Sequence, residues 1–316
     1  MAEAQAAIKT ASPPFDRPDA DLVLRSCDGI DFRVYKSVLS LVSPVFETMF
    51  TLPQPGPKVG ASEPPVVQMT EDERTLYLVL QFCYPGRRLE LKDLTDMVAL
   101  LEFAEKHDFE EWLVSCISLA SPKHLEASPL RVYTLACLYH LPEEARSAAR
   151  ATLQLQRRKL WHPDSPSALE GIPATTYIRL LQYHENCGDS AASLADTHIF
   201  LELPSGALRP NFLTCQGHCE SQRRVRSCKS RVVRVCQWWV ESIKALKERL
   251  REHPCSQSAV DFCHDRSLQE SAVSCGVFES GSARDLHLLS LQLSQKIDDA
   301  VSQVSIPFGS LASRDR

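Results

Sequence analysis

Between Asp21 and Thr51 the spacing of apolar residues changes from two to three-and-four, which limits this stretch to a small sheet followed at once by helices. Leu22 and Leu24 alternate with Val23 and Arg25, and Phe32 and Val34 alternate with Arg33 and Tyr35. A period of two with one apolar face marks a pair of half-buried strands. Between them lies Ser26-Cys27-Asp28-Gly29. Gly29 takes a positive φ at little cost and Asp28 bonds local backbone, so a hairpin turn is expected there. From Lys36 onward Val38, Leu39, Val42, Val45, Phe46, Met49 and Phe50 follow helical spacing. Pro44 disfavours helix at Ser43 and suits the first turn of a new one, so a short helix ends near Leu41 and Ser43 caps a second.

Pro53 to Pro65 holds five prolines and two glycines and reads as a loop. Pro64 to Met69 reads as a third strand, and Glu71 to Tyr84 as an amphipathic helix with acids in its first turn. Tyr84-Pro85-Gly86 ends that helix. Leu94 to His107 and Phe109 to Ala120 read as two more.

The order Asp21, Asp28, Gly29, Phe32, Tyr35, Lys36, Leu39, Ser43, Pro44, Phe46, Met49, Phe50 resembles the opening motif of a BTB/POZ domain. Tyr35 stands where the family usually has His, as in its fungal members. The resemblance spans about residues 19–121. It implies an α+β BTB/POZ fold, a small mainly antiparallel or mixed sheet capped by short helices. It also implies a non-enzymatic protein-protein interaction module, a scaffold or adaptor that self-associates as a homodimer. In such dimers the residues matching Asp21 and Lys36 line a charged pocket near the two-fold axis, here as a partly buried pair. Some family dimers use a long helix before the first strand. That place is proline-rich here, apart from a short helix at Ala2–Lys9. Family members that act as substrate adaptors of the cullin-3 ubiquitin ligase carry an apolar-x-Glu signature after the second helix. The matching stretch, Thr51 to Pro57 (TLPQPGP), has no acid.

With 316 residues the chain can hold two domains, or one domain and an extension. Net charge is −5; residues 1–120 carry 11 Lys+Arg against 19 Asp+Glu, which leaves +3 on the remainder. This asymmetry points to separate units and away from a nucleic-acid polyelectrolyte. Met1 to Ala20 lacks the apolar core of a secretory signal, and no run approaches the roughly 18 apolar residues of a membrane span. Twelve cysteines without such a signal point to free thiols in an intracellular setting, cytoplasmic or nuclear. The expected organisation is a disordered leader at 1–18, the BTB/POZ domain at 19–121 and a helical extension at 122–190. A Cys-rich basic segment with a Trp-containing helix follows at 191–255, then a linker, an amphipathic helix and a polar tail at 256–316.

In the extension, helices are expected over Leu130–Leu141, Glu143–Gln154 and Thr175–Cys187, with Gly188 as a C-cap. Val232 to His253 reads as a helix with the stripe Trp239, Ile243, Leu246, Leu250. Ser282 to Val304 repeats the pattern with Leu286, Leu289, Leu293, Ile297, Ala300 and Val304. Ser282 and Asp285 have capping-box-like spacing. The layout as a whole resembles long fungal BTB-domain proteins.

Cys215, His218, Cys219, Cys228 and Cys236 supply zinc-type ligands within 22 residues, but without a clean pair of knuckles. The alternative, which we prefer, is small buried hydrophobes and loose thiols with no metal or other cofactor. Arg223, Arg224, Arg226, Lys229, Arg231 and Arg234 precede Trp238 and Trp239. That segment could serve a transcription-associated factor. A solvated loop and helix start is the plainer reading, so nucleic acid is not the expected partner. No nucleophile–base motif, phosphate loop or metalloprotease helix is present. Cys83, Cys116 and Cys137 read as core residues, and His107, His140 and His184 as structural. No catalytic residue is expected.

Overall fold

Two hairpins and a series of amphipathic helices divide between two units, Met1–Ala127 and Ser128–Arg316. The structure is a computed structural model that describes residues 9–52, 64–84, 91, 93–109, 124–163, 169–196, 222–226, 232–274 and 282–306.

In the first unit, strands β1 (Lys9–Thr10), β2 (Leu22–Arg25), β3 (Ile30–Val34) and β4 (Val66–Gln68) form a mixed sheet in the order β1-β3-β2-β4. β2 and β3 are antiparallel, with Leu24 opposite Phe32 and Arg25 opposite Asp31. β1 runs parallel to β3, and β4 parallel to β2. Helices α1 (Lys36–Val42), α2 (Pro44–Thr51), α3 (Glu73–Cys83) and α4 (Leu94–His107) accompany the sheet. The chain breaks at Ser43-Pro44 as its chemistry requires: Ser43 is extended, ends α1 and caps α2, whose first residue is Pro44. Asp72 and Asp93 cap α3 and α4 through their carboxylates. Leu22, Leu24, Phe32, Val34, Leu39, Phe46, Leu76, Leu80, Leu100, Leu101 and Phe103 make the core.

Residues 1–18, expected as a disordered leader, are not so over residues 9–18. Lys9–Thr10 adds a strand to β3, and Phe15 is fully buried against Phe32, Tyr77 and Tyr84. One aromatic in a proline-rich stretch has no period to reveal it, yet burying it contributes about 2–3 kcal/mol. The short helix expected at Ala2–Lys9 lies outside the described residues except at Lys9, which is in β1. The helix expected over Phe109–Ala120 likewise lies outside them after Phe109, a buried residue.

The second unit is built from α5 (Pro129–Leu138), α6 (Pro142–Thr152), α7 (Arg157–Trp161), α8 (Ala174–Asp196), the strands β5 (Gln222–Arg226) and β6 (Val232–Cys236), α9 (Gln237–Glu252), α10 (Gln257–Cys263), α11 (Arg266–Ser274) and α12 (Ser282–Ser302). The Trp239, Ile243, Leu246 and Leu250 stripe is buried, as are Leu286, Leu289, Leu293 and Ile297. Ala300 and Val304 are only partly buried, and Val301 ends the α12 stripe instead. The helix expected from Val232 starts only at Gln237. Val232, Val233 and Val235 are β-branched and form a strand before it. Gly188 does not end its helix: α8 runs through it to Asp196. A Cβ on Gly188 would lie 2.9 Å from the Arg251 carbonyl oxygen, so the glycine is there to let the α9 backbone approach. The linker expected after residue 256 contains α10 and α11. No described helix is long and apolar enough to cross a membrane.

Candidate protein-interaction surface

The charged positions of the opening hairpin act as connectors of the first unit. Asp28 does not stop at its own turn: its Oδ1 accepts from the Glu73 backbone N–H (3.1 Å), while the Glu71 carbonyl accepts from Cys27 N–H (2.8 Å). The turn thereby docks on the start of α3. Gly29 holds φ at +85°, which favours glycine. Bonds from Ser26 and the Glu73 N–H hold the Asp28 carboxyl below its usual range.

Asp21 and Lys36, expected as a partly buried ion pair, meet in another way. Asp21 is exposed, and its carboxylate accepts from the Lys36 backbone N–H (2.8 Å). Tyr35, the residue before α1, provides no side-chain cap, so Asp21 caps the helix from the neighbouring strand end. The Lys36 ammonium lies 5.8 Å from the centre of the Phe50 ring instead. Tyr35 donates its hydroxyl to Asp19 (2.7 Å), and its backbone N–H donates to the Tyr84 hydroxyl (2.9 Å). Beside Arg17, and with the Tyr35 bond added, the Asp19 carboxyl is held at about 2.

Behind α1 and α2 sits a buried knot. Ser43 Oγ accepts from Phe46 N–H (3.2 Å) and donates to the carbonyl of His107 (2.6 Å), so one hydroxyl joins the start of α2 to the end of α4. The His107 ring stacks on Phe46 at 5.0 Å and lies 4.3 Å from Phe103. Neither of its ring nitrogens has a hydrogen-bond partner, and burial drives its pKa down to about 4.

Large apolar side chains also stand exposed on and just after the same helices, among polar neighbours such as Glu47 and Thr48. Leu41 is 86% exposed, Val45 41% and Leu52 57%. Val45 and Met49 lie four residues apart on α2, Leu52 is the extended residue that follows it, and Leu41 is the next-to-last residue of α1. The inner knot ties the start of α2 to the end of α4. Exposed apolar side chains on such a support suit association with another protein.

A mixed sheet with clustered short helices and such exposed apolar groups is the build of a docking module. Residues 16–123 match the model of the BTB/POZ domain family. This third of the chain is a BTB/POZ domain, a module that mediates protein-protein interaction and dimerisation and is generally non-enzymatic. No curated protein matches the sequence. Of the motif positions, Phe32, Leu39, Ser43 and Phe46 are buried, and Met49 and Phe50 partly so. Phe15, Asp19 and Tyr84 complete the arrangement but carry no signal by spacing.

In the second unit, Cys215, His218, Cys219 and Cys228 lie outside the described residues. Cys236 is buried at the junction of β6 and α9. Among the described residues no group of three or more His, Cys, Asp or Glu is placed to hold a metal. Burial pushes the thiols of Cys83 and Cys263 up to about 12, and those of Cys137 and Cys187 up to about 11. Protonated thiols of this kind are packing groups and poor nucleophiles. His184 is buried in α8 with a pKa lowered by burial to about 4, which also fits a structural role.

Proposed function

We propose that this protein is a non-enzymatic adaptor or scaffold that holds a partner protein on the α1–α2 face of its BTB/POZ domain. The exposed apolar strip of Leu41, Val45 and Leu52 carries this reading. Exposed leucines scattered singly need no explanation, but three large apolar groups in twelve residues, backed by an ordered aromatic knot, form a patch. Burying such a patch drives association, while the charges around it, Lys36 and Glu47 among them, select by complementarity. The free thiols of the described residues accord with an intracellular setting, cytoplasmic or nuclear.

The finer reading, substrate adaptor of a cullin-3 ubiquitin ligase, would use the same face. The absence of an acid between Thr51 and Pro57 weighs against it, so scaffolding by another partner stands first. Self-association is the competing use of the strip.

Affinity capture with the full chain and with Leu41→Asp/Val45→Asp tests the reading. Both sites are exposed, so the variant should fold. The proposal expects a partner captured by the parent and lost by the variant, at an unchanged oligomeric state. Equal capture by both chains refutes it. A dimer that the variant dissolves, with no partner lost, assigns the strip to self-association.

A further inference from the structure

The stretch Gln154–Pro163 holds three cations, Arg157, Arg158 and Lys159, and no Asp or Glu. It contains the short helix α7, which is fixed to α8 at two points. Arg157 pairs with Glu185 (2.9 Å), and the Tyr177 hydroxyl donates to the carbonyl of the fully buried Leu160. Going forward along α7 therefore means going backward along α8. The residue after Leu160 is Trp161, and the residue after Tyr177 is Ile178, so the second fixed point brings these two to one level. Trp161 is 53% exposed and Ile178 49%. Ile178 shares its exposed side of α8 with Glu185, two turns further on. Arg158 and Lys159 are also exposed, just ahead of Trp161.

Arg158 has a second setting. With Gln156, Arg249, Glu252, His253 and Asp261 it lines a groove of about 510 Å³ between α7, the end of α9 and α10. An exposed aromatic–aliphatic pair thus lies beside two exposed cations, and one of those cations leads into a cleft. Trp and Arg are the residues that most often anchor a bound protein.

We infer that α7 and this groove form a docking site for a short peptide of a partner protein, one that carries an apolar side chain flanked by acids. Trp161 and Ile178 offer the apolar seat. Arg158 and Lys159 select carboxylates beside it, Arg158 through a planar fork that grips two oxygens at once. The groove beyond carries both signs, Arg158 and Arg249 against Glu252 and Asp261. A peptide supplies both signs and backbone groups. The phosphates of a nucleic acid would meet two carboxylates there, and a flat lipid surface does not enter a cleft. No residue of the first unit takes part, so this site stands or falls without the α1–α2 face.

The test is fluorescence anisotropy of the full chain with a labelled synthetic peptide library, each member holding one Phe flanked by Glu in an otherwise random sequence. Saturable binding is expected. Trp161→Ala should weaken it by about tenfold or more, the loss of one anchor side chain. Arg158→Glu/Lys159→Glu should weaken it similarly and should gain binding to a second library with Lys in place of Glu. All three positions are exposed, so circular dichroism of both variants should match the parent. No saturable binding to the first library overturns the inference, as does equal binding by the parent and either variant. A charge reversal that leaves the library preference unchanged overturns it too. Tighter binding of polyglutamate, single-stranded RNA or phosphatidylserine vesicles than of the first library also overturns it.

Discussion

Ser43 joins three elements with one hydroxyl: it ends α1, caps α2 and donates to the last carbonyl of α4. Replacing it by Ala removes a cap and strands a buried N–H and a buried C=O, which together cost about 1–3 kcal/mol. Chemical denaturation of Ser43→Ala should show that loss in the first unit; an unaltered midpoint would contradict it. His107 gives the same knot a pH dependence. Its pKa is about 4 folded, against about 6.5 unfolded. Its contribution is therefore complete above about pH 6.5, is lost as pH falls toward 4, and changes no further below that. The loss amounts to about 3 kcal/mol. His107→Phe keeps the stacking on Phe46 and removes the titration. Its unfolding free energy should fall less between pH 6.5 and 4 than that of the parent, and parallel curves would refute this role.

At the scale of elements, periodicity exposed whatever had a period. The β2–β3 hairpin, the break at Ser43-Pro44, α4 from Leu94 to His107 and the α9 stripe were legible because each repeats an apolar position two, three or four residues on. The expected surface was legible only in part: motif positions marked the helices, but not which of their apolar residues would stay in water. Three features had no periodic signal. Phe15 is buried by tertiary contact alone, Asp21 acts on α1 from another strand, and the run of valines at 232–235 looks helical until β-branching is weighed. Gly188 misled because glycine both ends helices and permits close crossings. Gly188→Ala should gain about 1 kcal/mol of helix propensity and lose about 1–3 kcal/mol by pressing a methyl onto the Arg251 backbone. Net destabilisation of the second unit, read by denaturation, is the expected outcome, and net stabilisation would show that α8 and α9 can separate freely.

For the whole molecule, charge and apolar surface are distributed unevenly. The acidic first third contains the BTB/POZ domain with its apolar strip, and the remainder contains the exposed Trp161 and Ile178 beside Arg158 and Lys159. Buried thiols and histidines are held neutral, so in each unit the polar chemistry serves packing. The proposed function places interaction on the α1–α2 face. Hydrogen–deuterium exchange of the full chain, alone and bound to the partner it captures, tests this most directly. The account predicts slower exchange over residues 36–52 on binding. Unchanged exchange there, with protection confined to residues 128–306, would contradict it.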